Sequence, residues 1–414
     1  MKVRRKSRKV RRKQVMNGAA MKTAKFKDSP LGPIPQDWEV KRLGEIVEIN
    51  PIDDCSLPDE FVYIDLESVK EGQLLQKNII QAKDAPSRAQ RLFRYGDVLF
   101  QTVRPYQKNN LFVNFDASEF VASTGYAILR ERGNVSDSRY IYNYLHTETF
   151  VADVLDKCTG TSYPAINPNA LSMVPIALPP LPEQRRIAEA LGEMDRLIEL
   201  LDAQIVKKRR IAQGLAHDLL GMKNEECGMR NEPIRRLPGF KGEWVKKRLG
   251  EMLTLGHGKD YKGLTNGDVP VYGTGGLMCF VNEYLYDGPT VCIGRKGTID
   301  APIYHEGKIW TVDTLFYSHS FIDADPKFIY YTFCSIDWKS FNEASGVPSL
   351  SSMIIEGIEV FVPPTIAEQR AIAEVLSEMD AAIGALETKR DKYMRIKEGV
   401  MRDLLSGKKR LKGE

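Results

Sequence analysis

Apolar residues recur by alternating steps of four and three along Ile187, Leu191, Met194, Ile198, Leu201, Ile205, Lys208, Ala212, Leu215 and Leu219. This is a heptad seam with one polar exception, Lys208. The seam returns as Ile372, Leu376, Met379, Ile383, Leu386, Arg390, Tyr393, Lys397, Val400 and Leu404, broken at Arg390 and Lys397. Prolines precede each stretch (Pro179, Pro180 and Pro182; Pro363 and Pro364), and Glu183 and Glu368 follow in the first turn, where a carboxylate suits the helix dipole. Gly221 and Gly407 stand near the ends, as C-caps do. Each stretch predicts one helix of about 38 residues, a rod of roughly 57 Å at 1.5 Å per residue. Two such rods in one chain are expected to pair, antiparallel, as an intramolecular coiled coil. The plainer alternative is that each packs only on its own domain.

The two stretches are copies. Aligned at an offset of 185, Glu183–Leu220 and Glu368–Leu405 share 19 of 38 positions, and the first 13 positions hold 10 of these. The repeat extends upstream: "DWEVKRLGEIVEI" (37–49) returns as "EWVKKRLGEMLTL" (243–255), and "PAINPNALSMVPIALPP" (164–180) matches "PSLSSMIIEGIEVFVPP" (348–364) in pattern and length. The unit is therefore a globular segment followed by a helix, used twice. Between these flanks the segments differ almost entirely. Short apolar runs ("DVLFQTV", "LFVNF", "YAILR"; "PTVCIG", "FYSHSFI") punctuated by Gly, Asn and Pro predict strands. "SRYIYNYLHTETFVADVLDK" and "PKFIYYTFCSIDWKSFNEA" each predict one helix late in the segment. The fold class is α+β: two globular domains joined by two long helices with a pseudo-two-fold internal repeat.

Composition changes this picture in two places. The formal charge is +4, yet residues 1–27 hold 12 Lys/Arg and no acid, leaving 47 of the 59 basic residues against all 55 acidic ones, a net of −8 for the rest. Whole-body charge thus gives no case for nucleic acid, and any such case rests on local patches. The basic start is followed by no apolar region and does not read as a secretory signal, and no apolar run is long enough to cross a bilayer. It is expected to be a disordered tail, either touching phosphates or lying upstream of a natural start at Met21. The six cysteines (Cys55, Cys158, Cys227, Cys279, Cys292, Cys334) contain no CxxC pair and read as reduced thiols.

Catalytic signatures are missing. There is no GxxxxGK[ST] loop, and "GTGG" (273–276) and "GRKG" (294–297) read as glycine turns. The PP pairs lack the flanking residues of an amino-methyltransferase motif. The five histidines (His146, His217, His257, His305, His319) have no metal spacing. No catalytic residue, metal or cofactor is expected. What the divergent segments do carry is basic clusters on turn-rich sequence. The first has Arg88 and Arg91, then Arg104, Tyr106, Gln107, Lys108 and Asn109; the second has Lys259, Tyr261 and Lys262, then Arg295 and Lys296. Arg, Gln and Asn can bond base edges, and Lys and Arg also meet phosphates. A solvated loop is the plainer reading of any one cluster. Arg104 follows a strand that Pro105 should end, and Arg295 sits similarly after "PTVCIG".

On these residues the chain resembles the specificity (S) subunit of type I restriction–modification enzymes. The stretches that carry the resemblance are "LGPIPQDWEVKRLGEI", "GDVLFQTVRP", "GTSYPAINPNALSMVPIALPPLPEQRRIAEALGEMD", "EWVKKRLGE", "IGRKGTI", "VDTLFY" and "VPPTIAEQRAIAEVLSEMD". The resemblance implies a non-catalytic cytoplasmic protein whose two target recognition domains each read one half of a bipartite double-stranded DNA site. It implies that the helices set the gap, through the packing of Ile187, Leu191, Met194, Ile198, Leu201, Ile372, Leu376, Met379, Ile383 and Leu386, and dock two methyltransferase subunits, which restriction–translocase subunits join. The division expected is a tail at 1–27, recognition domains at 28–178 and 237–362, spacer helices at 179–222 and 363–408, a linker at 223–236 and a tail at 409–414. The rival reading is a coiled-coil scaffold with two protein-binding heads and no DNA role. A fused restriction enzyme would need the nucleotide motifs that are lacking.

Overall fold

Both repeats fold as single helices of 40 residues, Leu181–Leu220 and Ile366–Leu405. The computed structural model describes residues 25–52, 56–75, 77–220 and 233–411. The start of the basic tail with Met21, Cys55, Gly221 and the stretch of linker with Cys227 lie outside these residues. The first helix begins at Leu181, so Pro182 lies inside its first turn, where a missing N–H costs nothing. The second closes on Gly407, whose φ of 70° is left-handed. A Cβ there would run into Pro35, so only glycine fits.

The chain divides into unit 1, up to Glu199 and again from Asp391, and unit 2, Leu200–Arg390. Each unit therefore holds the beginning of one helix and the end of the other, and these pack antiparallel. In unit 1, Ile187, Ala188 and Leu191 share a core with Leu404 and Leu405. In unit 2 the residues at the same repeat positions do the same: Ile372, Ala373 and Leu376 with Leu219 and Leu220. Trp38 and Trp244, partners in the repeat, join the respective cores. Burying each such leucine or isoleucine contributes roughly 1.5–3 kcal/mol. The polar breaks in the second seam are met by acids of the first helix: Lys397 pairs with Asp195 in unit 1, and Arg390 lies 3.3 Å from Asp202 in unit 2.

The divergent segments share one topology. Unit 1 has a four-stranded antiparallel sheet in the order Leu111–Phe112, Val98–Gln101, Tyr126–Glu131, Val47–Ile49. Unit 2 answers with Ile303–His305, Thr290–Gly294, Leu315–His319, Thr254–His257. A second sheet runs Asn78–Gln81, Glu60–Ile64, Phe120–Ser123, Ala89–Arg91, with its central pair parallel. Its counterpart runs Gly276–Val281, Val269–Gly273, Lys308–Thr311, Tyr286–Asp287, again with a parallel central pair. A two-stranded ribbon in each unit (Glu39–Arg42 with Pro175–Leu178; Val245–Arg248 with Glu359–Val362) joins the strand that opens the segment to the one that leads into the long helix.

The late helices are shorter than the sequence suggests. The first breaks into Ser138–Tyr144 and Glu148–Asp156, because the Thr147 hydroxyl accepts from the Phe150 N–H and caps a new start. The second ends at Ser335 and resumes as a 3-10 turn at Trp338–Phe341.

Candidate nucleic-acid interface

In unit 1 the chain leaves the first sheet after Gln101. The Thr102 N–H and hydroxyl both donate to the Gly125 carbonyl, at 2.9 and 2.7 Å. The Arg104 N–H donates to Pro164 at 2.7 Å, and the Ile166 N–H to Thr102 at 3.0 Å. Residues 102–104 are thereby clamped between the turn at 124–125 and the repeated segment at 164–166. Arg104 and Lys108 then both take left-handed φ, 53° and 55°, on either side of the 3-10 turn Pro105–Gln107. Such backbone costs about 1–3 kcal/mol per non-glycine residue and persists only where neighbours enforce it. Here the buried Gln101 side chain enforces it. Its Nε2 donates to the Val103 carbonyl (2.7 Å) and Gln107 Oε1 (2.8 Å), and its Oε1 accepts from the Asn109 N–H (3.2 Å).

This organisation sorts the candidates. Lys108 is ion-paired with Glu148 at 2.5 Å, and Gln107 and Asn109 bond within the turn and to Glu71. Arg104 stacks its guanidinium 4.3 Å from the exposed Tyr163 ring, and Tyr106 is exposed. Arg88 is exposed and its carbonyl accepts from the Thr124 N–H at 2.8 Å, on the turn that also holds Thr102. Arg91, half-buried, pairs with Ala122 along the sheet. Its Nε is buried with no hydrogen-bond partner, and burial lowers its pKa. A buried N–H donor of this kind suits an incoming acceptor.

Unit 2 repeats the clamp. The Arg295 and Lys296 N–H groups donate to Thr314 at 2.8 and 3.3 Å, the Gly297 N–H to Pro348 at 2.9 Å, and the Leu350 N–H to Arg295 at 2.9 Å. These bonds make Arg295 the counterpart of Thr102, and Gly297 that of Arg104. Arg104 and Arg295 therefore occupy the same crossover two positions apart. Both Arg295 and Lys296 are exposed. Lys259 is held beside the same turn, its N–H donating to Thr311 at 2.8 Å and its carbonyl accepting from Trp310 Nε1 at 2.9 Å. Tyr261 packs into the small core around Val271 and Trp310, and Lys262 is exposed. In each unit, then, two basic stretches flank one turn, at 123–126 and at 311–315. The turn is shared; the second flanking stretch comes from a different strand or loop in each unit.

Two stretches of the chain, 35–208 and 241–393, match the model of the type I restriction modification DNA specificity domain. The chain belongs to this family. Among curated type I specificity subunits, that of Methanocaldococcus jannaschii MjaVIII is 23% identical over 94% of this chain and 97% of its own length. That of M. jannaschii MjaIX is 27% identical over 57% of this chain, and that of Haemophilus influenzae HindI 26% identical over 43%. The chain spans only 56% and 40% of the length of those two. The S subunit of a type I restriction-modification system from M. genitalium shares the fold, with a TM-score of 0.59, 17% identity, and 92% and 99% of the two chains covered. The scaffold with no DNA role is not favoured by this family. Among the described residues no helix is long and apolar enough to cross a membrane, and no three potential metal ligands cluster.

In this specificity-family chain the helix-packing residues are buried (Ile187, Leu191, Leu201, Ile372, Leu376, Ile383) or half-buried (Met194, Ile198, Met379, Leu386). The Glu-Gln pair at the start of each helix does more than the dipole suggests. Glu183 takes Arg410 in a bidentate pair at 2.5–2.6 Å, and Asp37 holds the same guanidinium at 2.8–2.9 Å. Glu368 takes Arg236 at 2.7–2.8 Å. Gln184 accepts from the N–H of Asp137, which caps the next domain helix, and Gln369 does the same for Asp325. The doublet joins rod to head in each unit. Its identity in both copies was the available signal; its partners lie too far along the chain to be read.

Proposed function

We propose that this chain is the DNA-reading, non-catalytic subunit of a type I restriction–modification complex in the cytoplasm. Segments 28–178 and 237–362 each read one half of a bipartite double-stranded site. The helical segments 179–222 and 363–408 set the gap and dock two methyltransferase subunits, to which restriction–translocase subunits are added. The reading rests on one observation above all: a single topology, with the same turn flanked by cationic stretches, carries unlike sequence in the two units. A shared frame with divergent contents suits two readers of different words.

Arginine is the residue best matched to a bidentate pair with guanine, worth about 1–3 kcal/mol of discrimination. Arg104→Ala and Arg295→Ala are each expected to relax preference at one position of one half-site, measured against single-base variants of the cognate duplex over a salt series. Uniform weakening with a shallower salt slope would make the residue a phosphate contact instead. No change in either would put the DNA on another face.

The docking of methyltransferase subunits has its own mark. Between positions 202 and 213 the helices agree only at Lys207, Arg210 and Ile211, identical to Lys392, Arg395 and Ile396, and all six are exposed. Packing does not require this identity; two copies of one partner would. Charge reversal of Lys207 and Arg210 should leave a complex with one methyltransferase subunit, and reversal of Lys392 and Arg395 as well should leave none, read by native mass spectrometry. Two methyltransferase subunits retained by the fourfold variant would move the docking site elsewhere.

A further inference from the structure

Beside the clamp in unit 2 lies a groove of about 360 Å³. Its floor is the glycine-rich hairpin turn at 273–276, and its walls are Leu277, Met278, Val312 and Thr314. The floor can be this low because Gly273 has no side chain: a Cβ there would come within 2.7 Å of Met278 Sδ. Leu277 and Met278 are each 53% exposed, on a strand at the edge of its sheet. Together they leave a small apolar patch open to solvent.

The groove and the cations are one structure. Thr314, in the wall, accepts the N–H groups of both Arg295 and Lys296. Arg295 Nη1 reaches the neighbouring Asp313 carbonyl at 3.4 Å. Gly297 faces the floor, with Thr274 Oγ1 3.5 Å from where its Cβ would be. Val312, also in the wall, follows Thr311, which holds Lys259. A ligand seated here meets apolar surface on one side, the Thr274 hydroxyl at the floor and the Arg295 guanidinium at the edge.

Resting on the DNA reading above, we propose that this groove receives the C5 methyl of a thymine in the major groove, so that unit 2 reads a T·A pair next to the base or phosphate met by Arg295. The cationic rim complements the polyanion. Within the major groove the edges of the base pairs are polar donors and acceptors, with the thymine methyl as the apolar exception. Leu277, Met278 and Val312 supply its counterpart, and Thr274 offers a hydroxyl to the polar atoms beside it. The equivalent connection of unit 1, between Glu60–Ile64 and Asn78–Gln81, instead carries a small hairpin of its own, Val69–Lys70 with Gln73–Leu74. The device therefore belongs to one half-site.

The test uses the full chain in the complex purified from its host, on the cognate duplex. Each thymine in the half-site that survives exchange of residues 28–178 is replaced singly by uracil, which removes only the methyl. One replacement should weaken binding about fourfold, the worth of one buried methyl group. Leu277→Ala and Met278→Ala should weaken the thymine duplex and become indifferent to uracil at that position. Both side chains are exposed, so these changes leave the fold intact. The proposal is overturned by a half-site without thymine, by uracil tolerated at every position, or by wild-type binding in the double variant. Failure of the DNA reading itself would look different: wild-type complex would not prefer any duplex over random sequence.

Discussion

Leu191→Asp is expected to collapse unit 1. Leu191 is fully buried among Ile187, Trp38, Leu404 and Leu405, where the start of one long helix meets the end of the other. The substitution removes a packed side chain and places a carboxylate among apolar side chains. The combined cost is about 4 kcal/mol or more, a large share of what holds an ordinary domain together. Leu200→Asp, nine positions along the same helix, is the internal control. Leu200 is 61% exposed, and an exposed change of this kind moves stability by about 0.5 kcal/mol or less. Peptide-resolved hydrogen exchange and urea unfolding separate the two variants. Unit 1 should lose protection in the first and keep it in the second. Equal unfolding midpoints for Leu191→Asp and wild type would mean that the helix seam does not hold the unit together.

What could be read from the sequence follows from what is local. The long helices were legible because a seam repeats over ten positions within one stretch, and because the stretch occurs twice. Their antiparallel pairing was legible as an economy, but its details were not. Arg390 and Lys397 read as breaks in the seam, whereas Asp202 and Asp195 meet them. Glu183 read as a dipole partner at a helix start, while its guanidinium comes from Arg410, 227 residues on.

The sheets show the limit more sharply. Individual strands announced themselves by continuous apolar runs such as Val98–Phe100, buried throughout. Their order did not, because the parallel pair Glu60–Ile64 and Phe120–Ser123 joins segments with a whole sheet's worth of chain between them. For the same reason the basic stretches could be found but not registered. Arg104 and Arg295 looked equivalent, each just past a strand. The clamp bonds place Arg295 opposite Thr102 instead, a two-residue offset that no resemblance between "TVRP" and "GRKG" could reveal. The role of Gln101, which holds the turn carrying Arg104, depends on a left-handed backbone that nothing in the local sequence signals.

Each unit is proposed to read its own half of one bipartite DNA site. The most direct measurement is a methylome of the host, read by single-molecule sequencing, with the native gene, without it, and with residues 28–178 exchanged for the matching segment of a relative. The ribbon of Glu39–Arg42 with Pro175–Leu178 lies wholly inside the exchanged segment, so the exchange leaves the long helices and unit 2 untouched in sequence. The expected result is one bipartite methylated motif that vanishes on deletion, and in the exchanged strain a motif with one half replaced, the other half unchanged and the gap preserved. A motif altered in both halves at once, or methylation indifferent to the gene, would contradict the account.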